Sequence, residues 1–495
     1  MRMDFSQGSR SQVILLAGII LLACVAGFLV SQVRPVGLIT AVLAVSVFVV
    51  AFMDPEVGLY LLIFSMLLSP EITVGEATSR TTLSRGVTLR LDDFLLAVIG
   101  LAWFARTAVK KDLGLFLRTP LNRPIFYYII ICCLSTAIGV VAGRVQTSSG
   151  FFFVLKYIEY FIVYFMVANH IRDREQVKRF LFCILLTSIL ISGYGLLQVP
   201  GGGRVSAPFE GTVGEPNTLG GYLMFIGFLT LGLLHKTRSS RETSFYVLVL
   251  AAMLLPFVFT ESRASYIGAF VATIAFSVLI RRKGIVITLI VLMGISSPLW
   301  LPQRVKDRIM LTFSQQEHPR QVQFAGIHLD TSTSARLLSM KEAYRDWTKK
   351  PVFGFGVTGY EFLDSQYAKV LVETGIFGLV AFFYLIYCVF RIARDNLRNL
   401  NDSLYQGISI GYMAGFIGLL THALGANTFI IVRIMEPFWF LTGIMVMLPV
   451  LEKREAEALA QLPESAEPRV APSTPFPGVP RQPPGLAAGR NAKPE

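Results

Sequence analysis

Charge is scarce in this sequence. Only 16% of its 495 residues are charged, against 53% hydrophobic, and long polar stretches are few. That excludes a water-soluble globular protein and points to the polytopic membrane class, in which each crossing needs about 20 apolar residues. Cysteine is sparse as well. Cys24, Cys132, Cys133, Cys183 and Cys388 all lie in apolar runs, with neither metal-ligand spacing nor a disulfide framework, and read as packing residues. There is no glycine-rich loop to cradle a nucleotide's phosphates and no paired-acidic metal motif, so neither a nucleotide sugar, a metal nor another cofactor is expected. No internal repeat stands out, which weighs against a transporter, and a scaffold role would leave the buried charges unexplained.

What is present is a succession of apolar runs. About fourteen candidate spans fall near residues 12–32, 36–53, 56–70, 93–109, 124–142, 150–169, 178–198, 217–234, 244–260, 263–280, 284–300, 366–390, 404–423 and 430–450. Leu21-Leu22-Ala23-Cys24 resembles a lipoprotein cleavage site, but the run continues past it and reads as an uncleaved helix. Loops of one parity carry the cations: Arg106, Lys110 and Lys111; Arg172 and Arg174; Lys236 and Arg238; Arg281 and Arg282; Arg391 and Arg394. The positive-inside rule then puts both termini in the cytoplasm and the long 301–365 loop outside, with Arg80, Arg85 and Arg90 of the 71–91 loop as the weak point. The net charge of +13 follows from this topology, so no nucleic-acid partner is expected.

The expected fold is therefore an all-α polytopic membrane protein of about 12–14 transmembrane helices with one large outward loop containing short amphipathic helices. Its segments are a cytoplasmic N-terminus (1–11), eleven spans (12–300), the loop (301–365), three spans (366–451) and a Pro-rich tail (452–495) whose composition reads as disordered.

Polar residues stand out against this background. In the loop, Ser334–Trp347 reads as an amphipathic helix with Leu337, Met340, Tyr344 and Trp347 on one face, stopped by Pro351. Lys156 and Glu159 sit three apart in an apolar run, either as a mutually neutralising pair or as functional groups. Gly211 to Gly220 contains Glu215, Pro216 and Asn217 at the expected start of a helix, where an N-terminus favours anions. Arg204, just before it, suits either a lipid headgroup or a substrate. Thr260-Glu261-Ser262-Arg263 fills a turn of almost no length, holding Arg263 at the membrane surface among hydroxyls. A guanidinium fork matches phosphate oxygens there, and a salt bridge to Glu261 is the alternative. His422, Asn427, Arg433 and Glu436 flank the last outer loop.

Three segments together resemble the O-antigen ligase/O-antigen polymerase superfamily of bacterial inner-membrane glycosyltransferases. They are Gly214-Glu215-Pro216-Asn217-Thr218-Leu219, Thr260-Glu261-Ser262-Arg263, and the module from Arg336 through Pro351-Val352-Phe353-Gly354-Phe355-Gly356 to Glu373-Thr374-Gly375-Ile376-Phe377-Gly378. The resemblance covers roughly residues 200–450. It implies metal-independent transfer of a glycan from a polyprenyl-pyrophosphate (undecaprenyl-type) carrier to a glycan or lipid acceptor, among membrane lipids and with envelope polysaccharide-assembly proteins as possible partners. Such a site needs cations for the pyrophosphate, here Arg204, Arg263 and Arg336, and a group addressing the acceptor. Ligases of this kind carry a His and a small polar residue where this chain has Asp364 and Ser365. Asp364 is then a candidate catalytic residue beside Arg263, with a helix cap as its ordinary reading. His318 or His328 of the same loop could serve instead. Asp in place of His favours a polymerase of exopolysaccharide or O-antigen repeat units over a lipopolysaccharide ligase. Glu215, Asn217, Ser262, Lys156, Glu159, His328 and Arg433 complete the possible site residues.

Overall fold

The computed structural model describes residues 35–73, 88–110, 119–210, 214–281, 322–324, 327–328 and 331–461, with Gly284, Gln303 and Lys306. Thirteen helices are described: α1 (Pro35–Met53), α2 (Pro55–Leu68), α3 (Leu91–Lys110), α4 (Asn122–Val141), α5 (Thr147–His170), α6 (Arg174–Gln198), α7 (Pro216–Lys236), α8 (Ser240–Phe259), α9 (Arg263–Leu279), α10 (Thr331–Trp347), α11 (Gln366–Asn399), α12 (Ser403–His422) and α13 (Val432–Ala460). Two small antiparallel ribbons accompany them, β1 (Glu71–Thr73) with β2 (Thr88–Arg90), and β3 (Gln323–Phe324) with β4 (Ile327–His328).

Among the described residues, eight helices are long and apolar enough to cross a membrane: α4 to α8 and α11 to α13. Val42–Met53, α2 and α9 are shorter apolar helices. This is an all-α polytopic membrane fold, as the hydropathy implies. The expected spans at 12–32 and 284–300, most of the loop before Thr331, His318 and the tail beyond residue 461 lie outside the described residues. The chain forms two compact units, Met1–Glu452 and Lys453–Glu495, and in the second only residues 453–461 are described, helical as far as Ala460.

Close packing of α7 against α12 organises the bundle. A Cβ on Gly232 would stand 2.3 Å from the Gly407 oxygen, and one on Gly411 would stand 2.5 Å from the Phe228 oxygen. The missing side chains let the two backbones touch, which is how helices associate where no hydrophobic force separates protein from lipid. An aromatic layer seals the core, with Phe438 of α13 within 5.3–5.7 Å, ring centre to ring centre, of Phe225, Tyr412, Phe416 and Trp439. Gln406 and Lys236 join α12 to α7 at 2.7 Å, and Arg174 and Asp402 join α6 to the start of α12 at 2.9 Å.

At the opposite end of the bundle a seat carries the 348–365 segment. Helix α11 is broken at Gly375, whose φ of 68° and ψ of −166° belong to glycine alone. The break frees carbonyls that a continuous helix would use. Phe355 N–H donates to the Val372 oxygen at 2.9 Å, Gly356 N–H to the Glu373 oxygen at 2.8 Å, and Ile376 N–H to the Pro351 oxygen at 2.9 Å. Ser135 of α4 donates its hydroxyl to the carbonyls of Phe353 and Glu373, at 2.5 and 2.6 Å. Glu373 accepts from Lys369 Nζ at 2.7 Å and from Thr358 N–H at 3.0 Å, and is 2% exposed. The Pro351–Gly356 and Glu373–Gly378 motifs are thus two halves of one docking joint.

Candidate functional site

The site is assembled from helix N-termini at this loop end. Helix α7 opens with Glu215 as N-cap and Pro216 in its first turn, and Glu215 Oε2 accepts from Thr218 Oγ at 2.9 Å. Helix α9 opens at Arg263 with Ser262 as N-cap, Ser262 Oγ accepting from Ser265 N–H at 3.3 Å. The turn before it is tight because Glu261 takes a left-handed φ of 49°, an uncommon conformation for a side-chain-bearing residue. Ser262 Oγ also donates to Asn217 Oδ1 at 2.7 Å, so the two N-termini are locked side by side. Both present the positive ends of their dipoles to one spot.

The arginines divide into different roles. Arg204 donates Nε to the Thr260 oxygen at 3.0 Å and a second N–H to the Glu261 oxygen at 3.3 Å, bracing the strained turn. Arg263 reaches up from α9 to Thr333 Oγ of α10 at 3.4 Å. Arg336, on the same loop helix, donates Nε to Asp364 Oδ2 at 2.9 Å, with both side chains about one-third exposed. Helix α10 thus touches Arg263 through Thr333 and, three residues on, Asp364 through Arg336.

One reading of the loop, Asp364 as a helix cap, needs revision. Asp364 is not the cap of α11; Ser365 holds that position, without a side-chain cap bond. The face of α10 that packs on the protein runs through Ser334 and Ala343, while Leu337 and Tyr344 are exposed. Helical periodicity identifies the stripe but not which neighbour covers it. Ala343 clusters with Leu363 and Val372, and with Trp347, Phe355 and Tyr360 at its margin. Asp346 closes this contact, accepting from Lys349 Nζ at 2.6 Å and Tyr360 Oη at 2.9 Å. Those two hydrogen bonds hold its carboxyl below the usual aspartate range, while burial and the Asp346 charge push the Tyr360 phenol up.

The other sequence candidates make different contacts. Lys156 does not pair with Glu159; it grips both oxygens of Asp93, at 2.9 and 3.0 Å, because the start of α3 packs against α5. Glu159 leaves Oε2 buried without a hydrogen-bond partner. Arg433, fully buried, donates to the carbonyls of Leu67, Ser69, Pro208 and Phe209 and faces Glu210 at 3.9 Å. It ties the segment before α7 to the end of α2, a structural knot. His328 lies in β4, paired with Gln323. Among the described residues, no group of three or more His, Cys, Asp or Glu could hold a metal ion.

One junction is not announced by the sequence, although Ser365 stands in it at the motif position after Asp364. Ser365 and Gln366 at the start of α11, His422 at the end of α12 and Asn427 beyond it meet at a junction: Gln366 N–H donates to the Ala423 oxygen at 3.1 Å, Phe429 N–H to Gln366 Oε1 at 3.1 Å, and Asn427 Nδ2 to the Leu363 oxygen. His422 and Asn427 are visible in sequence as polar residues flanking the last outer loop, but Gln366 carries no signal at all.

Residues 248–383 match the O-antigen ligase family model. The matched segment holds Arg263, Arg336, Asp364 and the whole docking joint, and the resemblance read from the motifs holds there. Glu215, Asn217 and Arg204 lie before it, and His422 and Arg433 after it. No curated protein matches the chain.

Proposed function

We propose that this chain is a glycosyltransferase of the bacterial inner membrane that transfers a glycan from a polyprenyl-pyrophosphate carrier to an acceptor hydroxyl on the periplasmic face. Its product on this reading is a polymer of exopolysaccharide or O-antigen repeat units. The observation that carries it is the contact of Arg263, at a helix N-terminus, with Thr333 of the loop helix that also bears Arg336 in its pair with Asp364, all within the segment that matches the O-antigen ligase model. Both termini would then face the cytoplasm and the loop the periplasm, in keeping with the distribution of cations.

The chemistry is a substitution at the anomeric carbon. The acceptor oxygen forms the new bond, the bond to the pyrophosphate oxygen breaks, and the carrier leaves with the electron pair. The guanidiniums of Arg263 and Arg336 and the N-terminal dipoles of α7 and α9 stabilise the charge that grows on the leaving pyrophosphate. As Arg336 turns to the phosphates it releases Asp364, which takes the acceptor's proton or orients its hydroxyl. Arg204 braces the turn beneath. The exposed Leu337 and Tyr344 lay α10 on the lipid surface as a lid.

A second reading, transfer of finished polymer to lipid A-core or another acceptor, is favoured by the description of the matching family. Complementation separates the two. In a host lacking this gene, Asp364→Asn at matched expression should leave single repeat units if the chain polymerises. Full-length polymer detached from its acceptor would show ligation instead. Normal polymer, normally attached, would favour a transporter or scaffold.

A further inference from the structure

At the end of the bundle away from the 348–365 seat, where Arg174 meets Asp402, α2 and α6 flank an open cleft. Its volume is about 490 Å³, and Tyr60, Lys178, Arg179, Phe182 and Cys183 line it. That lies within the range of about 300–1,000 Å³ of small-ligand sites. Helix α6 begins its membrane crossing here, so the cleft sits at the depth where a lipid headgroup gives way to its chains. Residues four apart share a helix face, which stacks Lys178 over Phe182 and Arg179 over Cys183. Charge stands outermost and an apolar wall lies one turn further in. Phe182 is half-exposed and backed by Phe245 of α8, ring centres 5.6 Å apart.

The charges at the mouth are each held by one side only. Arg179 donates Nε to Tyr60 Oη at 2.9 Å and to Glu56 Oε1 at 3.2 Å, and Nη2 to the same Glu56 oxygen at 2.8 Å. Tyr60 Oη donates to that oxygen too, at 2.6 Å. Among the described residues, this leaves the Nη1 edge of the guanidinium and the second oxygen of Glu56 to a ligand. Lys178 Nζ donates to Glu175 Oε1 at 2.7 Å, an exposed pair within one helix that holds weakly. The mouth therefore carries two cations and two carboxylates, with no net charge.

We propose that this cleft seats one phospholipid with a primary-ammonium headgroup, of the phosphatidylethanolamine class. Its phosphate takes the open guanidinium edge of Arg179 and the Lys178 ammonium. Its own ammonium donates to the free oxygens of Glu56 and Glu175, and one acyl chain lies along Phe182 and Cys183. The charge pattern selects the headgroup. A purely anionic lipid meets two carboxylates as well as two cations and gains nothing from a neutral mouth. A choline headgroup has no N–H to give the carboxylates. The seat is built from α2 and α6, at the other end of the bundle from Arg263, and does not rest on the glycosyltransferase reading.

The test is native mass spectrometry of the full chain, stripped of lipid in detergent and resupplied with dioleoyl phosphatidylethanolamine, phosphatidylcholine or phosphatidylglycerol. One phosphatidylethanolamine should stay bound per chain, more tightly than either of the others. Lys178→Ala should weaken it about fivefold, the worth of one hydrogen bond, and Phe182→Ala should weaken it as well. Both positions are solvent-exposed enough to change without threatening the fold, whereas Arg179→Ala also cuts the tie between α6 and α2. Arg391→Ala, an exposed cation of α11 outside the cleft, should change nothing. Tighter retention of phosphatidylglycerol overturns the proposal and leaves an ordinary basic surface. Equal retention of phosphatidylethanolamine and phosphatidylcholine overturns it too, because the carboxylates then take no part. So does an equal loss in Lys178→Ala and Arg391→Ala, which is the signature of unspecific lipid contact.

Discussion

Arg204 and Arg263 are both arginines beside the same turn, yet one braces it and the other projects from it. Replacing Arg204 by Lys keeps the charge but removes the fork that bridges two carbonyls, so loss of fold stability should accompany any loss of activity. Thermal unfolding beside turnover would distinguish this from Arg263→Lys, which should lower turnover while sparing stability. The Lys156–Asp93 pair makes a sharper case. Its partners are 13% and 5% exposed, and deleting one strands a buried charge. Lys156→Ala should cost roughly 3–5 kcal/mol, and the Lys156→Ala/Asp93→Ala double variant should recover much of it, both read from unfolding in detergent. The sequence could name Lys156 but not its partner, because Asp93 lies 63 positions away and only the packing of α3 on α5 joins them. Arg433 is legible as a buried charge for the same reason, and its four carbonyl partners are not.

At the scale of elements, the joint between the Pro351–Gly356 segment and α11 is what the repeated glycines serve. A Cβ on Gly375 would stand 2.2 Å from the Val352 oxygen, on a backbone already at positive φ. Gly375→Ala should cost at least about 1–3 kcal/mol and loosen the segment that presents Asp364. Gly143 has a similar φ of +68° but open space around it, so Gly143→Ala should cost only about 1 kcal/mol. Comparing the two melting temperatures separates the collision from the dihedral. Asp346 gives the same segment a pH dependence. Its folded carboxyl is held below its unfolded value by Lys349 and Tyr360, so the contact is fully stabilised above about pH 4, the unfolded range, and weakens as pH falls through the lower folded value. Amide exchange of residues 346–350, corrected for intrinsic rates, should rise only in acid, and in Tyr360→Phe the rise should begin at higher pH. The motifs themselves stand out in the sequence. That Glu373 anchors the joint, rather than acting on substrate, follows from a helix break that no local pattern announces.

At the scale of the molecule, hydropathy was enough to read an all-helical bundle, because backbone polar groups in lipid must be satisfied within each span. It could not show which helix ends converge. That convergence depends on the α7–α12 glycine seam and on the Ser262–Asn217 bond between N-termini, contacts made across long sequence separations. On the proposed function, this loop end transfers glycan from a pyrophosphate carrier, with Arg263 stabilising the leaving group. Its most direct test is surface-glycan sizing in a host deleted for the gene and supplied with wild type or Arg263→Ala at equal membrane abundance. Loss of one such donor costs about 10²–10³-fold in rate, so Arg263→Ala should leave only single repeat units where wild type restores the ladder. A full, normally attached ladder from Arg263→Ala would contradict the claim.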